Sequence, residues 1–528
     1  MNNILKFGIV LIINTLFFVL CAVLIPIHFE TNDDVVMLLI ASGKYSGTPD
    51  AHLVFINYIY GFFVSFLYTF FEGLEWYSIM FSILHIISFT IITWEIINKC
   101  KRIAYKIVFI ILFYSIAAYI ILHFQFTTTA GICAVAGIAL LMSANKYKRY
   151  IGLFMFVVAS LIRFDAAMLV LVVSCPVLYY PIHLKQKEGK LRNELLFLSL
   201  IVILPVVCKV TDHVIYKADK DWAHYKEYNY YRGKVNDNPS LNTIKGGHPN
   251  LIDVDYDLFD RFFIDENFWD LTTVKGMYEE IGELGIEKKI PHVYPNFDGY
   301  RIYILLLFLF LLGQIYLARR SSDKIILSLS FCLFLSALFY VSFTNLLKER
   351  VFLTALIGLF WVLFSAGGDV KKLKIEYFTY SFFIVFLFFF IQKMVVTRSN
   401  IDKLDLMDQN TLLNNVEIPE GEFLITYYDG LKLEKYSPYE ISDKVGDTKI
   451  LFSGWMAGTP FNREYFTSYK DIIDRNMIFI RNSNDLPQWS RKLKKSIKVH
   501  YGTEVEILVV YETSNCKIIK LISSDKNN

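Results

Sequence analysis

Apolar runs, most of them roughly 16 to 23 residues long, recur along this chain and limit its fold more strongly than any other feature. Runs of this length can cross the ~30 Å hydrocarbon layer of a bilayer as helices. A soluble chain of 528 residues would instead divide into several domains with polar faces, but here 55% of the residues are hydrophobic. The sequence therefore predicts an α-helical polytopic membrane protein and excludes a soluble enzyme, a disordered chain and a disulfide scaffold. The predicted spans are residues 5–27, 77–97, 105–124, 126–144, 151–162, 166–182, 195–216, 302–318, 325–343, 351–366 and 377–394.

Charge and cysteine content exclude two kinds of site. The 53 basic and 50 acidic residues give a net charge of +3, so nucleic acid is not an expected partner. None of the seven cysteines lies at metal-ligand spacing from another. We therefore expect neither a nucleic-acid interface nor a cysteine-based metal centre.

The distribution of Lys and Arg between the runs orients the protein, because loops rich in these residues face the cytoplasm. The basic clusters fall within residues 99–106, 146–149, 185–192, 319–324 and 371–374. All of them can be cytoplasmic only if the apolar stretch 53–71 does not complete a crossing. Residues 151–182 must also form two short spans that turn near Arg163 and Asp165. This predicts about eleven spans, with a cytoplasmic N-terminus and an extracytoplasmic C-terminus.

Two domains follow from this topology. Residues 1–395 form the membrane module, with an outer loop at 28–76 and a large outer loop at 217–300. We read the first run as an uncleaved anchor, because no small-residue cleavage site follows it. Residues 396–528 form a small extracytoplasmic mixed α/β domain, because apolar and polar residues alternate there as in strands. The alternating stretches are residues 423–428, 449–452, 477–481 and 505–511.

The sharpest local signal is the acidic pair Asp33-Asp34, which directly follows the first span. Residues 35–40 are apolar and are followed by Ala-Ser-Gly, which predicts a short helix on the membrane surface. Capping of this helix by Asn32, with both acids favoured by its dipole, would explain the pair structurally. Adjacent carboxylates at the bilayer surface also suit a general base or a metal ligand. Both interpretations stay open on these residues alone.

The position of the pair resembles the C-type (GT-C) glycosyltransferases, polytopic enzymes that use lipid-phosphate-linked sugars. They carry an acidic pair in the first outer loop, followed by surface helices and often a His-Pro-Pro-like element. Here Thr48-Pro49-Asp50-Ala51-His52 resembles that element only loosely. The resemblance covers residues 1–395 and is greatest to bacterial envelope-polysaccharide enzymes. It implies a bacterial plasma-membrane location, a polyprenyl-phosphate-linked sugar as donor and a glycan as acceptor.

Two further charged elements lie at predicted outer turns. Arg163 and Asp165 either pair with each other or contact phosphate and sugar, since charges near bilayer depth usually pair or line a cavity. Lys348 and Arg350 either reach towards lipid headgroups or stabilise a departing lipid phosphate, which an arginine fork can bind in a bidentate way. With His52, these residues are the candidate substrate-binding set.

The resemblance implies a sugar transfer in envelope-polysaccharide synthesis. In the predicted mechanism Asp33 accepts the proton of the attacking hydroxyl, and Asp34 orients the acceptor or holds a divalent cation. Arg350, with Lys348 and Arg163, stabilises the leaving phosphate. A repeat-unit polymerase or ligase relying on loop arginines such as Arg232 and Arg261 is one alternative. A flippase or transporter of lipid-linked sugars is another. The expected partners are membrane lipid, the lipid-linked sugar and the glycan acceptor, with no evident protein partner.

Overall fold

The computed structural model of the protein describes residues 3–99, 102–238, 241, 248–261, 263–283, 299–318, 320–344, 346–367, 407, 409–411, 413, 415–426, 430–446, 449–481 and 486–524. Helices dominate the first two thirds of the chain. They are α1 Asn3–Leu24, α2 Asn32–Ser42, α3 Tyr58–Phe70, α4 Trp76–Lys99, α5 Ile103–Leu122, α6 Phe126–Leu141, α7 Lys146–Ile162, α8 Phe164–Ser174, α9 Tyr179–Lys187, α10 Leu191–Ala218, α11 Lys220–Asn236, α12 Asp253–Asp260, α13 Leu271–Glu283, α14 Arg301–Leu317, α15 Ser321–Thr344 and α16 Glu349–Gly367. The remaining helices are α17 Ile441–Val445, α18 Pro460–Arg463 and α19 Leu486–Tyr501.

Seven helical segments among the described residues are long and apolar enough to cross a membrane. They are Asn3–Leu24, Trp76–Lys99, Tyr105–Leu122, Phe164–Lys187, Leu191–Ala218, Ser321–Thr344 and Glu349–Ala366. Three shorter apolar helices accompany them: Tyr58–Phe70, Phe126–Leu141 and Arg301–Tyr316. The α-helical membrane class predicted from the sequence is therefore confirmed. The predicted last span at 377–394 and the domain boundary at 395 lie outside the described residues.

Two elements on which the topology depends have the predicted local structure. α3 has 13 residues, about 20 Å of helix and too short to cross the hydrocarbon layer unaided. α7 ends at Ile162 and α8 begins at Phe164, so the chain turns at Arg163 as expected. The orientation in the membrane, with its cytoplasmic N-terminus, stays a prediction.

The centre of the membrane half is α6, of which every residue is buried. Its closest neighbour is α7, and the two helices approach through glycine. A Cβ added at Gly137 would lie 2.7 Å from the carbonyl oxygen of Gly152, and one at Gly152 would lie 2.6 Å from that of Gly137. Small residues at such a crossing allow backbone contact that larger side chains would prevent.

Two short strands, β1 His28–Phe29 and β2 His123–Phe124, pair within the membrane half. The strands of the C-terminal part are β3 Leu424–Thr426, β4 Ile450–Phe452, β5 Met477–Arg481, β6 Val505–Glu512 and β7 Cys516–Ser523. They form a five-stranded mixed sheet with the order β4-β3-β5-β7-β6. β3 is parallel to β4 and β5, whereas β7 is antiparallel to β5 and β6. The four alternating stretches read from the sequence are confirmed as strands. β7 was not predicted, because this inner strand has consecutive buried residues and lacks a strict alternation.

The C-terminal domain lies directly on the segment between α1 and α4. Its 3₁₀ turn at Leu433–Lys435 packs against α2. The amide of Asn32 donates to the Leu431 carbonyl at 3.4 Å, and the Ser78 hydroxyl on α4 donates to the Pro438 carbonyl at 2.7 Å. The residues around the acidic pair are therefore enclosed between the membrane helices and the sheet domain.

Candidate active site

The acidic pair occupies the first turn of α2, but its setting differs from the predicted surface helix. Thr31 is the N-cap residue and makes no side-chain cap bond, so capping by Asn32 is wrong. All residues from Asp34 to Ala41 are buried inside the protein. The helix is apolar on every side, which is typical of a buried helix and not of one lying on a membrane.

Asp34 is fully buried and serves as an internal anchor. Its Oδ1 accepts hydrogen bonds from the Tyr77 hydroxyl at 2.9 Å and from the Phe126 backbone N–H at 3.1 Å. Its Oδ2 is buried and has no hydrogen-bond partner among the described residues. Burial raises the pKa of Asp34 well above its usual range, which favours the protonated form. Asp34 thereby joins the start of α2 to α4 and α6.

Asp33 has the opposite environment and faces a cation. Its side chain is 23% exposed, and its Oδ2 lies 3.4 Å from Nη2 of Arg350, which is 317 residues away in sequence. Arg350 stands in the first turn of α16. The structure therefore separates the two acids of the pair, one buried and one at an accessible ion pair. It also brings together the predicted base and the predicted phosphate ligand.

Arg163 joins this cluster from the turn between α7 and α8. Its guanidinium lies over the rings of Phe126, at 5.4 Å, and Phe55, at 5.6 Å. It is within electrostatic reach of Asp33 and Arg350. Two cations and one accessible carboxylate therefore converge at this end of α7, an arrangement able to receive an anion beside a base.

Asp165 pairs weakly with Arg163 and points away from the cluster. The Asp165 Oδ2 lies 3.8 Å from Nε of Arg163, and the Asp165 side chain is 80% exposed. The pairing that the sequence left open is therefore present. A direct role for Asp165 in substrate binding stays a prediction.

Lys348 and His52 have other partners. The Lys348 ammonium lies 3.0 Å from Oδ2 of Asp237 at the end of α11. The His52 ring stacks on Trp222 with centroids 4.5 Å apart, and its Nδ1 lies 2.7 Å from Oδ1 of Asp50. Among the described residues, no hydrogen bond or ion pair connects either side chain to the acidic pair. Their substrate-binding roles stay predictions.

A second layer of polar groups surrounds the cluster, and one of them, Tyr119, was not identified from the sequence. The two-residue strands β1 His28–Phe29 and β2 His123–Phe124 pair in parallel and tie the first outer loop to the start of α6. The Tyr119 hydroxyl donates to the carboxylate of Glu349, the neighbour of Arg350. Gln125 caps α6 by accepting from the backbone of Thr127 at 2.7 Å.

The sequence also leaves open that the acidic pair holds a divalent cation. Within the described part of the chain, no group of three His, Cys, Asp or Glu side chains is placed to hold an ion. The two carboxylates of the pair also have different partners, Arg350 for Asp33 and Tyr77 for Asp34. The divalent cation considered from the sequence stays a prediction.

Comparison with known proteins gives two structural likenesses. The chain is similar to the crystal structure of ArnT from Cupriavidus metallidurans in the apo state, with a TM-score of 0.39 and 10% identity over 97% of both chains. It is also similar to the crystal structure of ArnT bound to undecaprenyl phosphate, with a TM-score of 0.38 and 9% identity over 98% of both chains. No family model and no curated protein matches the sequence. At this low TM-score and identity the likenesses carry no weight, so function has to be inferred from the side chains of this chain.

Proposed function

We propose that this protein is a membrane glycosyltransferase that moves a sugar from a polyprenyl-phosphate carrier to a hydroxyl of an extracytoplasmic glycan in bacterial envelope-polysaccharide synthesis. The observation that carries this proposal is the contact between Asp33 and Arg350. It places an accessible carboxylate beside a guanidinium where the membrane helices meet the C-terminal domain. A base and a phosphate ligand are the two groups that this transfer needs.

In the proposed reaction Asp33 takes the proton of the acceptor hydroxyl while the acceptor oxygen forms a bond to the anomeric carbon. The bond from that carbon to the carrier phosphate oxygen breaks at the same time, and the phosphate leaves with the electron pair. Direct displacement inverts the anomeric configuration. Arg350 and Arg163 stabilise the departing phosphate, since guanidinium groups bind its oxygens with charge-assisted hydrogen bonds.

The resting ion pair fits this sequence of events. A contact of 3.4 Å is longer than the roughly 2.7–2.9 Å of a charge-assisted hydrogen bond. Arrival of a phosphate can therefore draw Arg350 away and release the Asp33 carboxylate to face the acceptor. The pair thus holds both groups in place before the donor binds.

The burial of Asp34 supports a positioning role for it. A carboxyl group enclosed by Tyr77 and Phe126 does not reach an acceptor in solution. It fixes the first turn of α2 relative to α4 and α6, and so sets the direction of the neighbouring Asp33.

One of the loop arginines on which the polymerase or ligase alternative relies is not available to a substrate. Arg232 is buried and directs Nε and Nη2 at Oδ1 of Asn229, at 3.1 and 2.8 Å. An arginine held in this way stabilises α11 and is not presented to a lipid-linked oligosaccharide.

The test is the sugar composition of envelope polysaccharide in three strains: a deletion strain and strains carrying Asp33→Asn or Asp221→Asn. Asp221 is an exposed acid in the first turn of α11 and serves as the matched control. We expect the deletion and Asp33→Asn to lose the same sugar, while Asp221→Asn retains it. Full incorporation by a correctly inserted Asp33→Asn protein would remove Asp33 as the base.

A further inference from the structure

A basic pocket lies at the end of α7 opposite Arg163. α7 has 17 residues, so this pocket is roughly 25 Å from the candidate active site along the helix axis. Lys146 and Arg149 of α7 line it from one side, and Lys185, Lys190 and Asn193 line it from the others. Its volume is about 180 Å³. We propose that this pocket binds the phosphate of an anionic phospholipid, a site independent of the proposed transferase function.

Positive charge is in excess in the pocket. Four of its lining residues are cationic, and Glu194 is its one acidic lining residue. Glu194 is already engaged, because Nη1 and Nη2 of Arg149 contact its two oxygens at 2.8 and 2.7 Å. Nearby, Glu188 lies 2.8 Å from the ammonium of Lys185 and 3.7 Å from that of Lys190. Two carboxylates against four cations leave an excess of two positive charges.

Unused hydrogen-bond donors accompany this charge. The Arg149 Nε is buried and has no hydrogen-bond partner among the described residues. α10 begins at the pocket, and its N-cap residue Lys190 makes no side-chain cap bond to the first turn. The start of an uncapped helix presents backbone N–H groups and a partial positive charge, both of which favour an anion. A phosphate in the pocket can accept from the backbone N–H groups at this helix start.

The surroundings of the pocket favour a lipid as the source of the phosphate. Tyr150 and Phe154 on α7 and Leu195 and Leu196 on α10 are exposed apolar side chains next to it. The centroid of the Phe197 ring lies 4.2 Å from the Arg149 guanidinium carbon, and this ring forms the apolar wall of the pocket. A phosphate above two apolar chains matches this combination, and basic pockets between spanning helices bind such headgroups. The charge pattern predicts that this side faces the cytoplasm, where anionic lipids attract Lys and Arg.

The experiment measures the thermal stability of the purified full-length protein in detergent. Three additives are compared: dioctanoyl phosphatidylglycerol, dioctanoyl phosphatidylcholine and inorganic phosphate. The pocket variant is Lys146→Gln with Lys190→Gln. The control is Lys187→Gln with Arg192→Gln, two exposed cations on α9 and α10 that do not line the pocket.

We expect phosphatidylglycerol to stabilise the wild type and the control equally, with an apparent affinity about tenfold or more lower for the pocket variant. Without additive, all three proteins should melt alike, because the replaced side chains are exposed. Equal stabilisation by inorganic phosphate would overturn the lipid source. Equal stabilisation by phosphatidylcholine would overturn the preference for an anionic lipid. An equal loss of apparent affinity in the control variant would show that general surface charge, and not the pocket, causes the effect.

Discussion

The two ends of α7 each have an arginine–carboxylate pair nearby, and the two pairs are built differently. Near Arg163, Asp33 and Arg350 make a single contact of 3.4 Å at a partly exposed position. At the other end, Arg149 and Glu194 make two contacts of 2.7 and 2.8 Å, and Glu194 is almost completely buried.

This difference in geometry separates two uses of the same chemical pair. A short bidentate contact engages both oxygens of Glu194 and leaves little reason for exchange, so it suits a structural connection between α7 and α10. A single long contact leaves its groups available to a substrate. Geometry, more than residue type, therefore distinguishes the pair proposed for catalysis from the pair proposed for stability. Four changes test this distinction, from the largest expected effect to the smallest.

Asp33→Asn should reduce sugar incorporation by about 10²- to 10⁴-fold, because an amide cannot accept the proton of the acceptor hydroxyl. Thermal stability should change little, because a partly exposed ion pair adds little to the free energy of unfolding. Sugar incorporation into envelope glycan measures the first effect, and melting in detergent measures the second. A large loss of stability with unchanged incorporation per molecule would reverse the comparison.

Glu194→Leu should lower the free energy of unfolding by about 3–5 kcal/mol, since it leaves the Arg149 guanidinium buried and unpaired. The double variant Arg149→Met with Glu194→Leu should recover most of this loss, because an apolar pair can replace a buried ion pair. Denaturation in detergent measures both. Sugar transfer per folded molecule should stay near the wild-type level, and a catalytic defect in the double variant would argue against a structural role.

Arg350→Lys should reduce transfer about tenfold, since a lysine ammonium cannot bind two phosphate oxygens as a planar fork does. Lys348→Gln, two residues away, should stay within about twofold, because its ammonium pairs with Asp237 and not with Asp33. Rates of sugar incorporation in membranes with matched protein levels measure both. An equal loss of sugar incorporation in the two variants would show that Lys348 also acts at the phosphate site.

Tyr77→Phe should cost about 1 kcal/mol of stability, because buried Asp34 loses one hydrogen bond. Tyr60→Phe is the matched control, since the Tyr60 hydroxyl is buried without a hydrogen-bond partner among the described residues. It should be neutral or slightly stabilising. Melting curves of both variants in detergent decide the comparison, and equal losses would show that the Asp34 contact contributes nothing specific.

Local features of this protein could be predicted from sequence, whereas its long-range contacts could not. The turn at Arg163 follows from the length of two apolar runs, and four strands follow from alternation. The proposal of Asp33 as a candidate base follows from its position after the first span. The burial of Asp34 does not, because it arises from contacts with Tyr77 and Phe126, far along the chain. Likewise, the sequence of 348–350 does not say which of its two cations faces Asp33.

The glycine contact between α6 and α7 has a consequence for biogenesis. Every residue of α6 is buried, so no face of this helix meets lipid in the finished protein. Only residues 142–145 separate it from α7, and Gly137 meets Gly152 backbone to backbone. The two helices can therefore leave the translocon as one hairpin, while most of the chain is still to be synthesised. A bulky side chain at either glycine would then interrupt insertion itself, before any later helix arrives to compensate.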